Sequence, residues 1–435
     1  MKNILIIGNG ISGVTAARHI RKLSNHQITI ISAETEYFFS RTALMYVYMG
    51  HMKYEHIKPY EDSFWQKNCI SLKLDFVEEI DEKDKKVCLN GGEVLAFDEL
   101  IIACGSKPNK FGWIGQDLPQ VQGLYSWQDL ENMEANTKGI QRAVIVGGGL
   151  IGVEMAEMLR TRDIKVTFLV REDRFWGNVL PKEEGHLIAQ HIKSHHVDLQ
   201  FNEELDEIIP DKNGNVKAIK TKSGKEITCQ FVGLTAGVSP NIDFIKDSNI
   251  ATNKGILVNE YLETNCPNIY AIGDCAEFHK HPTDRKNIEQ VWYTGKMMGE
   301  TVAQTICGNK TVYQPGVWFN SAKFFDIEYQ TYGWVWAEPK KNEAALYWED
   351  ENGERCLKLI YDKNEFHFLA VNAFGIRLRH EIMDLWIREK YPIEQVINAL
   401  QKANFDPEFY ENYILKAKKT FKQQLSKFKL SPKPL

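Results

Sequence analysis

Two short apolar runs set the pattern of this chain. Ile4 to Ile7 and Ala143 to Val146 carry no charge and suit strands buried on both faces of a parallel sheet. Each run ends in a glycine-rich turn, and each turn opens a helical pattern, the first over Val14 to Leu23. A second strand follows each helix, Gln27 to Ile31 and Lys165 to Val170. Further on, Val87 to Phe97 reads as a hairpin around Asn90-Gly91-Gly92. Leu100 to Pro108 reads as a strand and turn, and Val197 to Phe231 as short strands turning at Asn213-Gly214 and Ser223-Gly224. Ile269 to Ile272 form another apolar strand, and Asn287 to Thr305 a helix. After Asn309 the composition changes: an aromatic-rich region contains three antiparallel strands, Ala344 to Trp348, Arg355 to Tyr361 and Phe366 to Val371. Helices over Leu378 to Lys390, Ile393 to Ala403 and Pro407 to Leu425 end the chain.

The glycines give the two strand–turn–helix units a chemistry. Gly8, Gly10 and Gly13 hold the G-x-G-x-x-G spacing, and Gly147, Gly149 and Gly152 repeat it. The first glycine allows a tight turn, the second lets backbone approach a pyrophosphate, and the third lets helix and strand pack closely. The helix start offers N–H groups and roughly half a positive charge to the phosphates. Ser12 joins the first candidate cradle, and Leu150, Ile151 and Glu154 the second. Two such units in one chain predict two facing nucleotide sites. At the first, an acid near the end of the second strand accepts from a ribose; Ser32 holds the usual place, so Glu34 is the expected substitute. At the second, the strand ends in Val170 and Arg171-Glu172-Asp173-Arg174 follow. Arginines there hold the 2′-phosphate of NADPH and acids the free ribose of NADH. Arg171 and Arg174 favour NADPH, with Glu172 and Asp173 as the opposing feature.

A chain of 435 residues predicts two to four domains. Net charge is −5, so no nucleic-acid partner is expected. No run approaches the roughly 18 apolar residues of a spanning helix. The chain starts on the strand itself, so no leader is expected and a cytoplasmic location is. The eight cysteines are scattered, with no C-x-x-C, and suit reduced core residues. His195-His196 and His279-x-His281 read as loop or surface histidines, and no metal site is expected.

Several segments resemble the pyridine nucleotide-disulfide oxidoreductase superfamily. Tyr37 to Gly50, YFFSRTALMYVYMG, lies where such flavoproteins place the isoalloxazine. Ser40-Arg41 stands where the disulfide reductases carry a redox cysteine. The segment is similar to the Y-S-R/K-x-x-L-x-x-Y pattern of the branch containing the nitrite reductase flavin subunit, rubredoxin reductase and ferredoxin reductase. Leu100 to Pro108 resembles A-T-G-x-x-P, with Cys104 replacing threonine between Ala103 and Gly105; Cys104 is read as a small buried side chain. Val232 to Asn241 resembles the A-x-G-x-x-P-N segment closing the NAD(P) domain, with Ala236 and Gly237 at the nicotinamide end. In NIYAIGDCAEF, Gly273 and Asp274 match the segment whose aspartate accepts from the ribityl chain of FAD. Glu289 and Gln290, at the start of the next helix, are expected near the flavin pyrimidine. Lys323 to Gly333 resembles the opening of the C-terminal domain of the same branch.

The resemblance implies an α/β protein with two Rossmann-like, three-layer domains and a C-terminal α+β domain. Residues 1–117 and 247–312 would bind FAD, residues 118–246 NAD(P)H, and residues 313–435 would form an interface domain with a homodimer contact. It implies hydride transfer from nicotinamide to flavin and onward delivery of electrons to a ferredoxin- or rubredoxin-like protein. Arg41 would tune the flavin, and with no cysteine beside it disulfide reduction is not expected. Two alternatives stay open. One is a quinone reductase held at a membrane surface by the basic terminal helix, although the A-Q-x-A-x-Q-x-G segment of type II NADH dehydrogenases is missing near residues 288–300. The other is a flavin-based redox-sensing binding protein. Tyr413, Ala417, Phe421, Leu425 and Phe428 recur at helical spacing in that terminal helix, between lysines. The stripe suits packing on its own domain first, then an acidic partner, then a membrane.

Overall fold

The computed structural model of the protein describes residues 1–283, 285–405 and 413–430. Contacts divide the chain into two compact units. One comprises Met1–Phe111, Gln122–Lys138 and Leu234–Pro315; the other comprises Gly112–Val121, Gly139–Gly233 and Gly316–Leu435.

The core of the first unit is an all-parallel five-stranded sheet. Its order is Ile269–Ala271, Glu99–Ile102, Asn3–Ile7, Gln27–Ser32, Ile70–Leu74. Ile4, Ile6, Ile101 and Ala271 are fully buried, which explains why the central strands read as unbroken apolar runs. The helix Ile11–Leu23 packs against Trp292–Ile306 through small residues. A Cβ on Gly295 would stand 2.4 Å from Ser12 Oγ, and one on Gly299 2.5 Å from the Ser12 carbonyl oxygen. The expected hairpin is present as Lys86–Leu89 and Val94–Ala96, with Val77–Asp81 completing a small antiparallel sheet. The helix expected from Asn287 starts instead at Trp292. The Phe278 N–H donates to the Asn287 carbonyl at 2.9 Å, and the His281 N–H to Asn287 Oδ1 at 3.1 Å. Those bonds hold the approach segment extended, so Glu289 and Gln290 precede the helix.

In the second unit, Val197–Phe201, Lys165–Val170, Arg142–Val146 and Phe231–Leu234 lie side by side in that order. The helices Leu150–Arg160 and Lys182–Ser194 flank them in sequence. The C-terminal portion of this unit is a five-stranded antiparallel sheet. Its order is Phe319–Phe324, Ile327–Tyr332, Phe368–Phe374, Cys356–Asp362, Glu343–Glu349. Only the last three strands carry readable turn signals. The hairpin missed in the sequence turns on two residues, Phe325 and Asp326, with Phe325 at φ +54°. Helices His380–Arg388, Ile393–Ala399 and Tyr413–Leu430 follow. The expected start of the last helix, Pro407 to residue 412, lies outside the described residues. Ile414, Ala417, Phe421 and Leu425 are buried in the core of the C-terminal portion, while Phe428 is partly exposed. The apolar stripe of the terminal helix therefore faces its own domain. Among the described residues no helix is long and apolar enough to cross a membrane.

Two adjacent acids, the exposed Glu183 and the buried Glu184, mark the join between this sheet and the nucleotide-type fold. Lys358 donates to Glu183 Oε2 at 2.9 Å, and Asn372 Nδ2 donates to Glu184 Oε2 at 2.8 Å. Glu184 is fully buried, and its Oε1 accepts no hydrogen bond. Burial pushes its carboxyl from 4.5 up to about 7, because the low-dielectric surroundings disfavour the charged form. The folded state thus prefers the protonated acid. That preference is fully expressed below the unfolded value and is lost as pH rises through about 7. Glu184→Gln should be more stable than the parent above pH 7, by roughly 1–3 kcal/mol, and the gap should close as pH falls toward 4.5. Thermal or urea unfolding across that pH range checks it; a constant gap would place the charge cost elsewhere.

Candidate functional site

The first cradle is built by steric exclusion. Gly8 leaves its strand at φ +110°, and a Cβ there would stand 2.2 Å from the Ala103 carbonyl oxygen. A Cβ on Gly13 would stand 2.1 Å from the Gly8 carbonyl oxygen. Gly10 differs: nothing lies within 4 Å of where its Cβ would be. It begins the Ile11–Leu23 helix without any side-chain cap. Open space before an uncapped helix start fits a pyrophosphate. Gly273, at φ +73°, is pressed against Ser12, whose Oγ would stand 2.3 Å from an added Cβ. This close contact sets Asp274 beside the same helix start.

Around Asp274 a polar network converges. Ser106 Oγ donates to Asp274 Oδ2 at 3.1 Å, and the Tyr125 hydroxyl at 3.4 Å. Gln290 Nε2 donates to Ser106 Oγ at 2.8 Å. The Tyr125 oxygen also accepts from the Ser106 N–H at 2.8 Å. Burial raises the Asp274 carboxyl above its ordinary value, against the opposing pull of Ser106, Arg41 and Tyr125. Burial and Asp274 also raise the Tyr125 hydroxyl, keeping it a donor. Gly105, at φ +71°, is required here because a Cβ would stand 2.7 Å from that hydroxyl. Sequence reasoning missed Tyr125 and Ser106: Ser106 fills a variable position of the Leu100 to Pro108 segment, and Tyr125 lies outside every segment singled out.

Arg41 and Glu34 are brought together. The guanidinium binds both carboxylate oxygens, at 2.9 Å and 2.6 Å. It also donates to the Tyr125 carbonyl and lies 4.5 Å from the Tyr125 ring centre. Burial opposes its charge, but Glu34 overrides that and holds Arg41 above its ordinary value. Glu34 Oε1 further accepts from the Trp127 N–H at 2.7 Å. Glu34, expected at a ribose, thus has its oxygens engaged by Arg41 and Trp127. Its loop is anchored by the buried Asn9, whose Nδ2 donates to the Thr35 carbonyl at 2.7 Å. Ser40 Oγ lies 3.2 Å from Thr42 Oγ1. Glu289 turns away from the Asp274 network: it lies 3.6 Å from Arg285 and accepts from Thr294 at 3.1 Å. Ala236 and Gly237 fall in the same unit. The Asn109 N–H donates to the Gly237 carbonyl, and Asn109 Nδ2 to that of Ala236. Cys104 Sγ donates to the Asn241 carbonyl at 3.1 Å. The neighbouring Cys275 thiol and burial hold the Cys104 thiol well above its ordinary pKa, which suits an inert side chain.

The second cradle repeats the first. Gly147 sits at φ +117°, and Gly149 begins the Leu150–Arg160 helix without a side-chain cap. The nearest atom to a Cβ on Gly149 is Trp176 Nε1, at 4.0 Å. Gly152 is buried, and Leu150 and Ile151 form the half-buried first turn. Burial and Glu157 push the Glu154 carboxyl up to about 7. Arg171 is exposed and donates to Glu172 Oε1 at 3.0 Å. Arg174 is drawn away, donating to the Gly177 carbonyl and to Glu338 Oε1, each at 3.1 Å.

Two glycine cradles at the ends of parallel strands, one in each unit, define a protein of the dinucleotide-binding class. The chain belongs to the pyridine nucleotide-disulphide oxidoreductase family, which matches residues 2–299 and whose members are flavin-dependent NAD(P)H oxidoreductases. It is 30% identical over 288 residues to rubredoxin-NAD(+) reductase of Acinetobacter baylyi, covering 64% of this chain and 72% of that protein. It is 27% identical over 356 residues to nitrite reductase [NAD(P)H] of Bacillus subtilis, covering 81% of this chain and 43% of that protein. It spans about half the length of this and another curated relative that it matches. Its fold is similar to that of a NAD-dependent persulfide reductase from A. fulgidus, with TM-score 0.84 and 23% identity over 98% of this chain and 83% of the other.

Removing the charge of Glu34 would leave the Arg41 guanidinium partly buried without its bidentate acceptor. Glu34→Gln should therefore lose roughly 1–3 kcal/mol of stability, read by urea unfolding. An unchanged midpoint would mean that the pair contributes only local order.

Proposed function

We propose that this chain is a FAD-dependent NAD(P)H oxidoreductase that passes electrons to a separate redox protein of the ferredoxin or rubredoxin kind. The domain limits are residues 1–117 and 247–312 for FAD, 118–246 for NAD(P)H, and 313–435 for an interface domain. The observation that carries the reading is the pair of cradles, each an uncapped helix start behind a glycine turn. FAD, when bound, supplies the ability to take a hydride from a nicotinamide and release electrons one at a time. Gly8, Gly10, Ser12 and Gly13 leave the backbone of the first helix start to the pyrophosphate. Asp274, held by Ser106 and Tyr125, accepts from a ribityl hydroxyl. Arg41, oriented by Glu34, places a positive charge at the flavin end, where it favours electron density on the ring. Gln290, Ala103 and Gly105 line the same end. Gly147, Gly149, Leu150, Ile151 and Gly152 hold the second pyrophosphate, with Glu154 behind them. The separate acceptor is favoured by Ser40-Arg41, because the segment from Tyr37 to Gly50 contains no cysteine for disulfide chemistry. The kinship with rubredoxin-NAD(+) reductase points the same way.

NADPH is the proposed donor. Arg174 is engaged by Glu338, which leaves Arg171 as the cation for a 2′-phosphate.

The purified protein should be yellow, should be reduced by NADPH, and should turn over with a ferredoxin or rubredoxin but not with glutathione or CoA disulfide. Rapid disulfide turnover would overturn the acceptor assignment. Gly10→Val should fold yet emerge colourless, because its side chain enters open space rather than protein; normal flavin content would displace the cradle. Arg171→Ala should raise the KM for NADPH at least tenfold more than that for NADH. Equal changes would remove the NADPH preference.

A further inference from the structure

The second unit gathers two histidines and an acid that belong to neither glycine cradle. His191 and His195 are one helical turn apart at the end of Lys182–Ser194, so their rings share a face. Asp326 comes from the two-residue turn between Phe319–Phe324 and Ile327–Tyr332. One nitrogen from each histidine and one Asp326 oxygen lie within 4.8 Å of one another. His195 Nε2 stands 3.5 Å from Asp326 Oδ1, and His191 Nε2 stands 2.5 Å from it.

The surroundings orient these groups as ligands. His195 Nδ1 donates to the His191 carbonyl at 2.9 Å. That bond places the proton on Nδ1 and leaves Nε2 with a free lone pair toward Asp326, the arrangement that metal-bound histidines adopt. Phe325 stacks on the His195 ring, with centroids 4.3 Å apart and planes 25° apart. Phe325 is itself buried and holds φ +54°, a conformation that strains a non-glycine residue. The strained turn thus presses on one histidine while presenting the next residue, Asp326, to both. Exposure is graded across the cluster, 10% for the His191 side chain, 32% for His195 and 75% for Asp326. An ion could enter from the Asp326 side and keep a water there. Glu157 stands nearby, ion-paired with Lys323 through Oε1 at 2.6 Å, while its buried Oε2 accepts no hydrogen bond.

We propose that His191, His195 and Asp326 bind one divalent cation of the zinc class, clamping the Lys182–Ser194 helix to the Phe325-Asp326 turn of the C-terminal sheet. Two imidazoles, one carboxylate and a water form the donor set of a four-coordinate zinc. Ligand atoms on such an ion stand about 3.3 Å apart, given metal–ligand distances of about 2.0–2.2 Å. The His195–Asp326 separation already fits. The His191–Asp326 hydrogen bond opens by about 1 Å, which rotation of an exposed aspartate supplies.

The test uses full-length protein without a histidine tag, titrated with Zn²⁺ in equilibrium dialysis and with Co²⁺ followed by its absorption to the red of the flavin bands. One ion should bind per chain, and Zn²⁺ should raise the unfolding temperature. His191→Ala, His195→Ala and Asp326→Ala should each weaken Zn²⁺ at least tenfold and remove the thermal shift. His186→Ala, on the exposed side of the same helix, should leave both unchanged. Flavin content and far-ultraviolet circular dichroism report whether each variant folds, and they read the flavin assignment separately from the metal. The proposal is overturned if the parent binds no more Zn²⁺ than the His191→Ala/His195→Ala double variant. It is also overturned if His186→Ala loses as much as the three ligand variants.

Discussion

A β-carbon fits neither at Gly8, where the first strand ends, nor at Gly13, in the first turn of the helix that follows. The backbone oxygens of Ala103 and Gly8 fill the positions that side chains at residues 8 and 13 would need. This exclusion holds the helix start close against the ends of the parallel strands, and so it fixes where an anion can be received. The same economy of volume brings a distant part of the chain to the site. Ser12 is packed by Gly273, Gly295 and Gly299, each with a virtual Cβ contact of 2.5 Å or less. Asp274 reaches the first cradle because its glycine neighbour can press on Ser12. The turn that makes the fold possible is therefore also the turn that sets the acid.

On that backbone the charged groups order one another. Arg41 contacts Glu34, the Tyr125 carbonyl and the Tyr125 ring; the Tyr125 hydroxyl contacts Asp274; and Ser106 and Gln290 complete the set. Measured against an apolar pair of the same volume, Glu34–Arg41 gives little net stability, since desolvation offsets most of the Coulomb gain, whereas removing one partner strands the other charge. The effect of the pair is positional. The bidentate geometry allows the guanidinium essentially one orientation, and Tyr125 transmits that orientation to the carboxylate. A lysine at residue 41 would keep the charge and lose the fork.

The parts legible in the sequence are those whose cause is local. Ile4 to Ile7 and Ala143 to Val146 read as buried strands because burial on both faces leaves no polar position. Gly8, Gly10 and Gly13 read as a cradle because their spacing is contained within six residues, although the atom that excludes a side chain at Gly8 is the distant Ala103 carbonyl oxygen. The apolar spacing of Ala417, Phe421 and Leu425 was visible for the same reason, and those residues do pack inward. What escaped depends on partners far along the chain. Tyr125 belongs to the site through Ser106 and Asp274, which no spacing rule connects. Glu34 gave an acid in roughly the expected place, but its engagement by Arg41 and Trp127 is tertiary. The helix after residue 286 starts late because Asn287 is bonded to Phe278 and His281. The Phe319–Phe324 hairpin was invisible because its turn carries no glycine, asparagine or proline; packing on His195 tolerates a strained phenylalanine there instead.

The C-terminal sheet is more than an appendage to the second nucleotide fold. An aromatic path joins them, from Phe168 and Phe175 through Phe324 to Phe374 and Tyr329. Around it lie polar ties, Lys323 to Glu157, Lys358 to Glu183, Asn372 to Glu184 and Arg174 to Glu338. The last tie bears on chemistry. An arginine at the strand end can neutralise a cofactor phosphate or an acid of its own protein, and Arg174 is already engaged by Glu338 and the Gly177 carbonyl. Recruiting it to a ligand would mean releasing the C-terminal contact. Arg174 is thus committed to holding the C-terminal sheet, whereas Arg171 is exposed and pairs with its neighbour Glu172.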